Sequence, residues 1–121
     1  MLASVVSVLA LASSVVHATS ARATYHIYDG VRPEQTFCNL PFNSPGGWMF
    51  ITAYQRIGGD IQCGQCLKIT NTRTGASTIV KVVDQGGSVF DLSQQAFNAI
   101  DTDGNGYNMG HMNIDYVKVA C

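Results

Sequence analysis

The sequence predicts a mainly β protein, a small barrel of five or six strands with one or two short helices. Three observations point there: short runs rich in Val, Ile and Tyr, period-two alternation in the clearest of them, and Gly-, Asn- and Asp-rich turns between. "RATYHIY" at 22–28 puts Ala23, Tyr25 and Ile27 on one side and Thr24, His26 and Tyr28 on the other, a strand with one wetter face. "DGVRPEQTFCNLPFNSPGG" at 29–47 holds all three prolines and reads as loop. "WMFITAY" at 48–54 is the next strand, turned by "RIGGD". "CLKIT", "STIVKVVD" and "NIDYVKVA" supply the rest. Between the last two, Ser93 is placed to cap a helix over Gln94–Ile100, with Leu92 stapling against Phe97. Ala96, Phe97 and Ile100 form its buried stripe, and Asp101–Gly104 stops it.

"DTDGNGYNMGHM" at 101–112 has the opening of a calcium loop. Asp101, Asp103 and Asn105 take the first, third and fifth ligand positions, with Gly106 at the sharp turn. The last position, which should bring a bidentate Glu, is Met112, whose thioether supplies no hard oxygen. The stretch after it alternates like a strand, so the segment reads as a polar turn that delivers His111. No metal or organic cofactor is expected.

The chain has 121 residues. "MLASVVSVLALASSVVHATSA" carries an apolar run of secretory length ending in small residues, with cleavage expected after Ala18 or Ala21. The run at 2–16 is too short and too rich in Ser and Ala to span a bilayer. A signal peptide over 1–21 leaves one domain, 22–121, of about one hundred residues. So small a domain has a thin core and gains from cross-links. Its four cysteines, Cys38, Cys63, Cys66 and Cys121, read as two disulfides with three connectivities open. "CGQC" lacks the βαβ surroundings of a redox pair, and the other spacings do not suit zinc. Seven basic residues against eight acidic ones leave a net charge of −1, no electrostatic funnel for nucleic acid.

On these residues the chain resembles the barwin family, the plant pathogenesis-related class 4 proteins. The matching stretches are "RATYH" with Tyr28, "CGQCLKITNTRTG" at 63–75, "IVKVVDQ" at 79–85, "DLS" and "AFNAIDTDGNGY" within 91–107, "GH" at 110–111, and the strand ending in Cys121. The resemblance implies a six-stranded double-psi β-barrel. The family usually carries six cysteines; here Gly86 follows "VDQ", and 48–62 contains no cysteine. Those two absent cysteines are partners in the family, so one bridge is lost as a unit, and the implied pairs are Cys38–Cys63 and Cys66–Cys121. On the chain-entropy relation they contribute about 3.5 and 4 kcal/mol. The segment between His26 and Cys38 is also shorter than the family's.

Three functions follow from the resemblance. A secreted, extracellular, monomeric defence protein with an antifungal role would bind chitin-type oligosaccharides or cell-wall polysaccharide weakly, and would not engage a membrane. Tyr25, Tyr28, Trp48, Tyr54 and Tyr107 offer flat faces for sugar rings; Asn71, Asp84, Gln85, Asp91 and Asn113 offer polar edges. A ribonuclease would use His26 and His111, at matching motif positions, as acid and base on RNA, with Arg22 stabilising charge and Asp84 orienting an imidazole. Glucan cleavage of the expansin type would use Asp91 with a second carboxyl such as Asp84, although Val89 stands where that motif has His.

Overall fold

A computed structural model describes residues 17–121; the apolar run at 1–16 lies outside the described residues. The strands are β1 (Thr19–His26), β2 (Asn43–Ser44), β3 (Gly47–Trp48), β4 (Ile51–Tyr54), β5 (Cys66–Asn71), β6 (Ser77–Gln85), β7 (Phe90–Ser93) and β8 (Met112–Val119). Six of them close into a barrel in the order β1-β7-β4-β6-β5-β8, while β2 and β3 form a separate hairpin. The β1–β7 and β4–β6 pairs are parallel and the remaining barrel pairs antiparallel. Parallel neighbours need crossovers. Two of them, interlaced, give the double-psi barrel.

Inside the barrel Leu67, Ile69, Val80, Val82, Phe90, Leu92 and Ile114 are fully buried with Phe97 and Ile100 of helix α1 (Gln94–Ile100). That helix starts as its sequence requires: the Ser93 hydroxyl accepts from the Ala96 N–H. A second, smaller core of Tyr28, Phe42, Ile51 and Val83 lies where the long loop covers β4 and β6. Both Val82 and Val83 are buried, which strict alternation forbids. The register explains it: Thr52 pairs with Val82 but Ala53 with Asp84, so Val83 is an extra residue in β6. A bulge of this kind re-aims the side chains that follow it.

Two disulfides, Cys38–Cys63 and Cys66–Cys121, tie the covering loop and the carboxy-terminal strand to the barrel, the pairs that the resemblance implies. Their Cα atoms stand 5.5 and 5.3 Å apart, ordinary for such bridges.

Three expectations need correction. β1 ends at His26, so alternation stops there: Ile27 is 53% exposed and Tyr28 is buried. "WMFITAY" is not one strand, because Met49 adopts φ 65° and separates the hairpin from β4. The polar turn contains a short helix, α2 (Asn105–Met109). Among the described residues no helix is long and apolar enough to cross a membrane.

Candidate functional site

The bulge in β6 delivers Asp84 to the end of the barrel, beside the end of β1 and the start of β7. There, His26, Tyr28, Asp84, Gln85, Gly87 and Asp91 line an open recess of about 200 Å³. The Tyr28 hydroxyl donates to Asp84 Oδ2 (3.2 Å), and the Phe37 and Gln85 N–H groups donate to Asp84 Oδ1 (3.0 and 2.9 Å). Thr24, paired with Asp91 across the parallel β1–β7 ladder, donates its hydroxyl to Asp91 Oδ1 (2.9 Å). Both carboxylates are therefore held in place by protein donors. The His26 ring meets the edge of Tyr28 at 4.8 Å. Burial, then the neighbouring Asp84 carboxylate, pushes the Tyr28 phenol far above its ordinary value, so it remains a donor across the physiological range.

Gly87 makes the recess geometrically possible. It sits at φ +82°, and a Cβ there would meet Asp91 Cβ at 2.9 Å. Among the described residues lining this recess there are two carboxylates, one imidazole and no lysine or arginine. Such a surface disfavours a phosphate backbone and suits neutral hydroxyls.

The other candidate residues are distributed elsewhere. His111, Asn71, Asn113 and Arg73 line a second recess of about 210 Å³ under α2. His26 and His111 thus belong to different recesses, and Arg22, which pairs with Asn113 across β1–β8, lines neither of them. Asn71 is buried at 2% exposure: its Nδ2 donates to Ile100 O and its Oδ1 accepts from Arg73 N, so it closes the end of α1 rather than presenting an edge to ligand. Tyr28, also 2% exposed, offers a hydroxyl but no ring face. Tyr54 packs against Phe90 at 5.0 Å. Tyr25 lies between Phe97 (5.1 Å) and the exposed Tyr107 (6.3 Å). Trp48 is exposed, on the β2–β3 hairpin, outside the residues that line the Asp84 recess.

The calcium-like carboxylates are also occupied. Asp101 accepts from the Gly106 and Tyr107 N–H groups (2.7 and 2.9 Å), and Asp103 accepts from Asn105 N and from Arg73 Nε (2.7 Å). Among the described residues no three His, Cys, Asp or Glu side chains gather as a metal site. Sequence reading passed over Thr24, Gly87 and Phe37. The register of β1 on β7 brings Thr24 to Asp91, the path of the covering loop past β6 brings Phe37 to Asp84, and Gly87 meets Asp91 through the short β6–β7 connection.

The barrel superposes on solved structures. Cerato-platanin 3 from M. perniciosa superposes with TM-score 0.66 at 23% identity, over 84% of this chain and 95% of that one, which speaks for the fold. An apo expansin of Clavibacter michiganensis is 29% identical, with TM-score 0.65 over 86% of this chain and 51% of that one. A variant of that expansin, solved in complex with cellohexaose, matches at 27% identity and TM-score 0.66. This chain thus spans about half of the expansin. The model described as the Barwin family matches residues 17–121, every described residue of the barrel. The closed double-psi sheet, its two bridges and that match together make this chain a member of the Barwin family.

Proposed function

We propose that this Barwin-family chain is a secreted cell-wall polysaccharide-binding protein with a defence role. In this reading it grips one stretch of a glucan or chitin-type chain at the Asp84–Asp91 recess without cutting it. The observation that carries the reading is the pairing of two braced carboxylates with a lining that, among the described residues, holds no lysine or arginine. Carboxylate oxygens fixed in this way accept from sugar hydroxyls, and the His26 ring adds a partner at the rim. An expansin that shares the fold is known bound to cellohexaose, which supports a polysaccharide ligand for this chain as well. At about 200 Å³ the recess is smaller than pockets that enclose a ligand, which run to about 300–1,000 Å³, so binding is weak and takes part of a chain. Hydrolysis needs one carboxyl to hand a proton to the glycosidic oxygen. Asp84, with both oxygens accepting from Tyr28, Phe37 and Gln85, is braced as an acceptor instead. No observation favours the ribonuclease reading, which asks His26 and His111 to share one phosphate.

Export follows in the same proposal, with the leader removed after Ala18. Cleavage after Ala21 would strip Thr19–Ala21, the residues that pair with Tyr116–Ile114 on β8. Mass spectrometry of the exported protein is expected to find Thr19 at its start; Arg22 there would refute the assignment.

The test of function is retention on insoluble cellulose and chitin, with Asp84→Asn and Asp91→Asn beside the wild type. Wild-type protein is expected to be retained, the variants to wash through, and no reducing ends to appear. Equal retention of all three proteins would overturn the site. Reducing ends that vanish with Asp91→Asn would replace binding by catalysis.

A further inference from the structure

We propose that Phe37 is the stacking platform of this site, the plane on which the pyranose ring next to the recess rests. The inference builds on the polysaccharide reading. Phe37 is 59% exposed and joins neither hydrophobic core, yet its backbone is tied down on both sides. Its N–H donates to Asp84 Oδ1 (3.0 Å), and the next N–H, of Cys38, donates to Val83 O (3.0 Å). Cys38 is then bridged to Cys63, and on the other side Thr36 is buried with its N–H and hydroxyl both donating to Pro33 O. A large apolar side chain has thus been left in water on a backbone that cannot easily carry it away. Burying it inward would recover the hydrophobic free energy that exposure forgoes.

The recess itself explains what the ring would meet. Its lining supplies polar edges, but among the described residues its aromatic members are His26 and Tyr28, and the Tyr28 ring face is buried. A β-linked glucan presents hydroxyls at its edges and apolar C–H faces above and below each ring, so a site with edges alone holds half of each sugar. Phe37, tied by its own N–H to the carboxylate that takes the hydroxyls, provides the missing face. No sequence pattern marks it, because it lies in a Pro-rich loop and gains its position only when that loop docks on β6.

The experiment is titration of the wild type, Phe37→Ala, Phe37→Trp and Asp84→Asn with cellohexaose, with thermal unfolding as a check that each variant is folded. Phe37→Ala is expected to weaken binding about fivefold, as loss of one ring contact does, while Phe37→Trp binds at least as well as wild type. Wild-type affinity in Phe37→Ala together with a loss in Asp84→Asn would overturn the platform and leave the recess standing. Unchanged affinity in both, or no binding by the wild type, would remove the polysaccharide site and the platform with it.

Discussion

Two recesses of nearly equal volume, each lined by one histidine, lie on this barrel, and the carboxylates in or near them serve opposite ends. Under α2, Asp101 caps the helix, Asp103 pairs with Arg73, and Asn71 closes the carboxy end of α1. Those polar groups hold chain to chain. At Asp84 and Asp91 the donors come from Thr24, Tyr28 and two backbone N–H groups, and they hold the carboxylates toward open solvent. Satisfying a polar group thus builds the fold in one place and prepares a surface for a ligand in the other. The distinction lies in where the second side of each group faces, which residue type alone does not reveal.

The structural role of the α2 recess is tested most forcefully at Gly106. It is buried, and a Cβ there would come within 2.9 Å of Asp101 Oδ1 and of Phe97 Cζ. Gly106→Ala is expected to cost about 2 kcal/mol of folding stability, by overpacking, while the folded fraction binds polysaccharide as before. Chemical denaturation beside a binding isotherm reads both. Next in size is Asp101→Ala, which removes two helix-capping acceptors and should cost about 1–2 kcal/mol with no change in binding. Lost binding in either variant would mean that the α2 recess is part of the site.

Tyr28→Phe sharpens the other side. One hydrogen bond to Asp84 disappears, at a cost of about 1 kcal/mol near neutrality, and affinity should fall because Asp84 is less firmly held. The pH dependence identifies the group. Because burial and Asp84 raise the folded phenol above its ordinary value of 10.0, the unfolded chain releases that proton first, and stability falls as the pH rises past that value. In Tyr28→Phe the alkaline decline should be shallower; an unchanged slope would show that Tyr28 is not the group that titrates. The smallest effect belongs to Asp103→Asn. The Arg73 hydrogen bond holds the Asp103 carboxyl below its ordinary value of 3.8, so its contribution is present above that pH and is lost as pH falls through the lower, folded value. The variant should show a slightly flatter acid limb and wild-type binding, because the pair is at the surface.

Much of the fold is legible in the sequence. Apolar periodicity marks most barrel strands, and Ser93 with Leu92 and Phe97 marks α1 to the residue. The disulfide pairs were legible only by resemblance, since four cysteines leave three connectivities open. Helix α2 was not, because "NGYNM" has weak helix formers and depends on a cap four residues upstream and on the absence of a side chain at Gly106. The bulge at Val83 was equally hidden: two adjacent valines read the same whether or not the partner strand skips one. Of the site, Asp84, Gln85, Asp91 and His26 were named from sequence and line one recess. Tyr28 and Asn71 were named for a ring face and a polar edge, and both are buried, Tyr28 reaching the recess through its hydroxyl alone. Thr24 and Phe37 reach the carboxylates through pairings of 67 and 47 residues' separation, which no local pattern encodes.

The most direct measurement is amide chemical-shift mapping of the ¹⁵N-labelled protein titrated with cellohexaose. The expected result is a contiguous set of shifts over Thr24, His26, Phe37, Asp84–Gly87 and Asp91, with the amides of Asn105–Asn113 unmoved. Shifts centred on α2 and His111, with the Asp84 recess silent, would contradict the assignment of ligand binding to the one recess and of structure to the other.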